Sequence, residues 1–127
     1  MKAEAPRILV ADDDQPSLEL VTYLLQSRGY DVATATDGNR AFEMGSSGEY
    51  RLIILDVHMP MYDGLEVLQF LRKRHLLHPV KIIALTGDPS PEVREALEEI
   101  GIDSFVLKPV DLKALLREVS RLLTPPD

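Results

Sequence analysis

Two patterns of apolar residues alternate along the chain: short unbroken runs, and longer stretches in which an apolar residue returns every third or fourth position. The runs are RILVA (7–11), YDVATA (30–35), RLIIL (51–55), VKIIAL (80–85) and IDSFVL (102–107). Short runs rich in Ile, Val and Leu predict strands buried on both faces of a parallel sheet, the second being the weakest. Each is followed by a helical stretch. Leu18, Val21 and Leu25 mark one face of a helix that Asp14 can cap, that accepts Pro16 in its first turn, and that Gly29 stops. Asp37 can cap a poorly patterned helix through Arg40–Met44, closed by the turn GSSGE. Gly64 precedes LEVLQFLRKRH, with Leu65, Leu68 and Leu71 on a core face. SPEVREALEEIG carries the clearest helical signal: Ser90 as cap, Pro91 in first position, Val93, Ala96, Leu97 and Ile100 at helical spacing, and Gly101 as the stop. Asp111 caps the last helix, DLKALLREVSRLL.

Strands and helices in strict alternation predict a parallel sheet covered on both faces. A closed barrel typically needs about 250 residues, so 127 favour an open, doubly wound five-stranded sheet. The expected strand order is the flavodoxin-like 2-1-3-4-5. One domain over 1–127 is expected, with its core at about 7–123 and flexible ends at 1–6 and 124–127.

Composition narrows the function classes. No apolar run approaches the roughly 18 residues of a membrane span, and MKAEAPR does not lead into a signal-peptide core. The absence of Cys removes any disulfide framework, so a reducing, cytoplasmic location is expected. A net charge of −7 argues against a bare nucleic-acid binder, which would carry a basic stripe.

The chemistry lies at the strand ends. The first strand runs into Asp12 and Asp13, the third into Asp56, the fourth into Thr86 and the fifth into Lys108. In the order 2-1-3-4-5 these strands are neighbours, so their polar termini meet in the crevice where open α/β sheets bind ligands. Three carboxylates gathered there repel one another, each pair about 4 Å apart costing on the order of 4 kcal/mol at an effective dielectric near 20. Lys108 offsets part of this, and a divalent cation with oxygen ligands, Mg²⁺, would offset more. A carboxylate, a hard cation, a Lys and a hydroxyl make a phosphoryl-transfer site, with Asp56 as nucleophile and Lys108 and Thr86 holding phosphoryl oxygens. The plainer reading of Asp12 and Asp13 is helix capping and first-turn charge, worth about 0.5–2 kcal/mol.

The motifs ILVADDDQ, LDVHMPMYDGLE, IIALTG and FVLKPVD, in this order and at this spacing, resemble the receiver domains of response regulators in two-component signalling. The likeness covers about residues 7 to 123. It implies Asp12 and Asp13 as the acid pair, Asp56 as phospho-acceptor with Asp63 and Gly64 downstream, Thr86 as the switch hydroxyl, and Lys108 before a Pro whose peptide bond is usually cis. It also implies a metal ligand from the backbone carbonyl of His58, and Phe105 as the aromatic that follows Thr86 when the domain switches. A sensor histidine kinase or a histidine phosphotransfer protein would donate the phosphoryl group. Helix four, strand five and helix five would then change their affinity for an output domain or protein, with homodimerisation on phosphorylation as one form of that change. Such a domain catalyses only its own phosphorylation and slow dephosphorylation. The chain departs from the common pattern at Gly87, where Ala or Ser is usual, at Phe105, where many receivers have Tyr, and at Val110, where Phe is frequent.

Since Mg²⁺ prefers oxygen, the His58 imidazole is expected to line the mouth of the site and modulate hydrolysis. His75 and His78 are expected to be exposed, with no zinc site. Two alternative functions remain. A phosphorylation-independent scaffold of the same fold would ordinarily lack the Asp or the Lys, and both are present. A phosphatase of the haloacid dehalogenase type would carry Asp-x-Asp-x-Thr early in the chain, which ADDDQPS does not match. Flavodoxin-type FMN binding is weaker still, since strand one leads into acids.

Overall fold

A computed structural model of the protein describes residues 5–58, 64–74, 80–88 and 90–124. The elements alternate as the apolar pattern predicts: β1 (Arg7–Ala11), α1 (Gln15–Ser27), β2 (Asp31–Ala35), α2 (Gly38–Gly45), β3 (Leu52–Asp56), α3 (Gly64–Arg74), β4 (Lys81–Thr86), α4 (Pro91–Ile100), β5 (Ser104–Leu107) and α5 (Leu112–Leu123). All strand pairings are parallel, in the order β2-β1-β3-β4-β5.

The helices begin where their caps predict. Side chains of Asp14, Asp37, Ser90 and Asp111 each accept a backbone N–H from the first turn of the helix that follows, satisfying donors that would otherwise be orphaned. Gly101 closes α4 with φ at +85°, the left-handed conformation that glycine adopts without a Cβ penalty.

Strand residues alternate between two cores. One face carries Leu9, Ile53, Leu55, Ile82 and Ala84 with Val67, Leu68, Leu71 and Leu97. The other carries Ile8, Val10, Leu52, Ile54, Ile83 and Leu85 with Leu18, Val21, Leu25, Leu115 and Val119. Strands β1, β3 and β4 are thus buried on both sides, the reason their sequences run apolar without alternation.

The boundaries differ from the apolar runs in physically informative ways. Strands β3 and β4 each extend one residue past their runs, so Asp56 and Thr86 are held as the last strand residues. Strand β5 starts at Ser104 rather than at 102, because Asp103 serves as an anchor: its N–H donates to Ile82 O and its carboxylate accepts from Ile82 N. Helix α2 extends beyond 40–44 at both ends, starting directly after its Asp37 cap and running to Gly45. In α3, Val67 joins Leu68 and Leu71 in the buried face, while Leu65 is only partly buried. Asp63, His75, His78 and the outer parts of both chain ends lie outside the described residues.

Candidate functional site

The register places the strand ends side by side. Ala11 pairs with Leu55, Asp56 with Leu85, and Thr86 with Leu107, so the residues at or just beyond these positions converge. Asp12, Asp56 and Thr86 are 1%, 3% and 1% exposed, and among the described residues they are the polar side chains buried in the molecule. Burying a carboxylate is costly unless it is paired and hydrogen-bonded, so each needs a partner.

Lys108 supplies most of the pairing. Its Nζ lies 2.9 Å from Asp56 Oδ2, 3.2 Å from Asp12 Oδ1 and 3.1 Å from Asp12 Oδ2. The Lys108 backbone is fixed to the end of β4, where Lys108 N donates to Thr86 O at 2.7 Å, and the Lys108–Pro109 bond is cis. Burial is the largest single influence on this Lys and pushes its pKa down. The hydrogen bonds and charges of Asp56 and Asp12 outweigh it together, and the group titrates above its ordinary value. The other oxygen of Asp56, Oδ1, accepts from His58 N at 2.9 Å, and Asp12 Oδ1 accepts from Asp14 N at 3.0 Å.

Glycine is required at position 64, where the start of α3 meets Val57. A Cβ on Gly64 would stand 2.4 Å from Val57 O and 2.5 Å from Val57 Cα, and Gly64 N donates to that same carbonyl. The start of α3 therefore presses directly on the backbone that carries Asp56.

Asp12, Asp13 and Asp56 each offer a carboxylate oxygen, all within 4.8 Å of one another, with Asp13 exposed at the mouth. Asp12 Oδ2 is buried and accepts no hydrogen bond among the described residues, despite lying near the ammonium. Three acids against one ammonium leave excess negative charge. Hard oxygen donors, one of them lacking a donor, fit a divalent cation of the Mg²⁺ type.

Thr86 stands beside this cluster, but its described hydrogen bonds point elsewhere. Its hydroxyl accepts from Asp88 N at 3.0 Å and lies 3.2 Å from His58 Nε2. Asp88 in turn accepts from Ser90 N at 2.9 Å; that bond, then the Ser90 hydroxyl and the charge of His58, hold its carboxyl below its usual range. Phe105 lies one strand further out, partly buried, with the Arg94 guanidinium 4.6 Å above its ring. Thr86, Val93, Leu97 and Phe105 line a cavity of about 120 Å³ between α4 and β5.

The structure thus gathers Asp12, Asp13, Asp56 and Lys108 into one constellation, with Thr86 at its side and Phe105 beyond it. The hydrogen bond between His58 and Thr86 and the cation–π contact of Arg94 with Phe105 have no signal in the sequence. Asp88 had a readable signal, an acid two residues before the Ser90 cap, where an Asx turn can lead into a helix.

Comparison with known proteins gives a consistent picture. The family model for the response regulator receiver domain matches residues 8–120. The chain is 33% identical over 117 residues to the alkaline phosphatase synthesis transcriptional regulatory protein PhoP of Bacillus subtilis, covering 92% of this chain and 48% of that protein. It is 35% identical over 115 residues to the CAI-1 autoinducer sensor kinase/phosphatase CqsS of Vibrio cholerae, covering 90% of this chain and 17% of the kinase. Both curated relatives therefore extend well beyond the region that this chain matches. Among solved structures, the chemotaxis response regulator CheY4 of Vibrio cholerae superposes with a TM-score of 0.83 at 30% identity, over 94% of this chain and 99% of that one.

Proposed function

The chain belongs to the response regulator receiver domain family of two-component systems, and from that premise we propose that Asp56 is its phospho-acceptor. Receiver domains are signalling domains rather than conventional enzymes. The observation that carries the reading is the buried Asp56 carboxylate, held between Lys108 Nζ and His58 N at the end of β3, with Asp12 and Asp13 beside it.

The donor is a phosphohistidine on a sensor histidine kinase or a histidine phosphotransfer protein. An Asp56 oxygen attacks phosphorus, a P–O bond forms, the P–N bond breaks, and the departing imidazole takes a proton from solvent. Lys108, kept protonated by its two acids, moves its hydrogen bond from the carboxylate to a phosphoryl oxygen and neutralises charge there. Asp12, Asp13 and Asp56, with the backbone carbonyl of His58, are the residues that would hold Mg²⁺, which supplies further neutralisation of phosphoryl charge. Hydrolysis by water returns Asp56 to a free carboxylate and releases phosphate.

Thr86 would follow the phosphoryl group, and Phe105 would follow Thr86 into the space beside α4. That changes the face formed by α4, β5 and α5, which binds the output domain or protein, or a second copy. Among the described residues no helix is long and apolar enough to cross a membrane; the proposed site of action is the cytoplasm.

Intact mass after incubation with acetyl phosphate and Mg²⁺ tests the proposal. A single metal-dependent phosphoryl adduct in the wild type, absent in Asp56→Asn, supports it. A folded wild type that gains no adduct and binds no beryllofluoride overturns it and leaves a phosphorylation-independent scaffold.

A further inference from the structure

The Thr86 hydroxyl has one proton to donate and two lone pairs that accept. Asp88 N occupies one lone pair at 3.0 Å. His58 Nε2, at 3.2 Å, takes either the proton or the second lone pair, depending on its tautomer. In the second case the proton faces Asp88 O at 3.4 Å. In both arrangements the hydroxyl is committed to partners outside the carboxylate cluster. His58 is well placed to enforce this. Its backbone N–H is tied to Asp56 Oδ1 and its ring to Thr86, so one residue bridges the loops that follow β3 and β4.

We infer that the His58 imidazole is a positioning residue that latches the Thr86 hydroxyl away from the phospho-acceptor site. This rests on the phosphorylation reading above and adds to it a resting-state restraint. Recruitment of Thr86 by a phosphoryl group must break the His58–Thr86 bond, so the imidazole biases the domain toward its unphosphorylated conformation. A ligand can shift such an equilibrium only by its differential affinity, so the restraint must appear as weaker binding of any group that recruits Thr86. The latch contains no carboxylate. It acts through Thr86 alone, which separates it from a direct effect of the ring on the attacking water.

Beryllofluoride affinity in the presence of Mg²⁺ measures this directly, in the wild type, His58→Ala, His58→Gln, Thr86→Ala and the His58→Ala/Thr86→Ala double variant. A neutral hydrogen bond of ordinary net strength predicts that His58→Ala binds about two- to tenfold more tightly than the wild type. His58→Gln, whose amide can also meet the hydroxyl, should return toward wild-type affinity. In the Thr86→Ala background the His58 effect should vanish, the signature of two residues acting as one unit. Equal affinity of wild type and His58→Ala, or a His58 effect that persists without Thr86, overturns the latch while leaving Asp56 as acceptor. Failure of the wild type to bind beryllofluoride at all overturns both.

Discussion

The carboxyl ends of β1 and β3 and the edge formed by β5 and α4 lie on opposite sides of β4, and they are built differently. Every residue of β3 is buried, and β1 is buried from Ile8 onward. In β5 only Val106 is buried, Leu107 is 45% exposed, and α4 contributes Leu97 as its one buried residue. Asp12 and Asp56 are carried by the first region, and Phe105 and Arg94 by the second, with Thr86 on the boundary between them. Groups that must hold a fixed geometry stand on strands packed from both faces. Groups proposed to change position stand where few buried apolar contacts oppose a local shift.

The largest test of that contrast is core truncation. Ile54→Ala in β3 should cost about 2–5 kcal/mol, whereas Leu107→Ala in β5 should fall within about 0.5 kcal/mol. Both are read from chemical denaturation, and similar losses at the two positions would erase the distinction. Gly64→Ala comes next. The added methyl meets backbone rather than a flexible side-chain end, so a loss of about 1–3 kcal/mol is expected. Phosphoryl uptake should also slow, because the displaced Val57 follows Asp56 directly.

The charges of the site give a comparison of sign. Lys108→Ala leaves the buried Asp12 and Asp56 without their ammonium and should destabilise the metal-free protein by about 1–3 kcal/mol. This lies below the range for a fully buried pair because the Lys side chain is 24% exposed. Asp56→Asn removes a repelling charge and should raise metal-free stability by about 1 kcal/mol or less while abolishing the adduct. Mg²⁺ should stabilise the wild type by about 1.4 kcal/mol at ten times its Kd, and Asp12→Asn should lose most of that gain. Thermal unfolding with and without the ion separates these outcomes. Destabilisation by Asp56→Asn would mean that its two hydrogen bonds outweigh the repulsion.

Much of this was legible in the sequence because it depends on local rules. Capping acids, helical spacing and unbroken apolar runs report elements directly, and the sheet order then forces Asp12, Asp13, Asp56, Thr86 and Lys108 to one end. Cross-chain pairs follow no period. Arg72 donates to Val80 O and to Asp103 Oδ2, the latter 31 residues away, and no spacing announces that bond. The stacking of Arg94 on Phe105 and the bond from His58 to Thr86 are hidden for the same reason: each depends on where two elements meet. Leu65 packs against the core at its margin, beside the fully buried Leu68 and Leu71, and Val67 completes that face, since a position next to Leu68 is drawn inward only where the helix meets the sheet.

The smallest effect probes how firmly β5 is held. Ser104, the first residue of β5, donates its hydroxyl to Glu118 Oε1 at 2.6 Å, and Arg121 holds the same carboxylate through Nε and Nη2. Arg121 is the stronger influence and Ser104 the second, and together they keep the Glu118 carboxyl below its ordinary value of 4.5. A carboxyl whose pKa is lowered by folding contributes stability above its unfolded pKa, and that contribution is lost as pH falls through the lower, folded value. The wild type should therefore exceed Ser104→Ala by a few tenths of a kcal/mol near pH 7, the scale of a solvent-screened pair. That difference should shrink progressively below about pH 4.5. Denaturation midpoints of the two proteins between pH 7 and pH 3 provide the measurement. A gap above about 1 kcal/mol would show β5 held by this contact more firmly than a solvent-screened pair allows, and one that does not shrink in acid would show that Ser104 acts independently of the ionised Glu118.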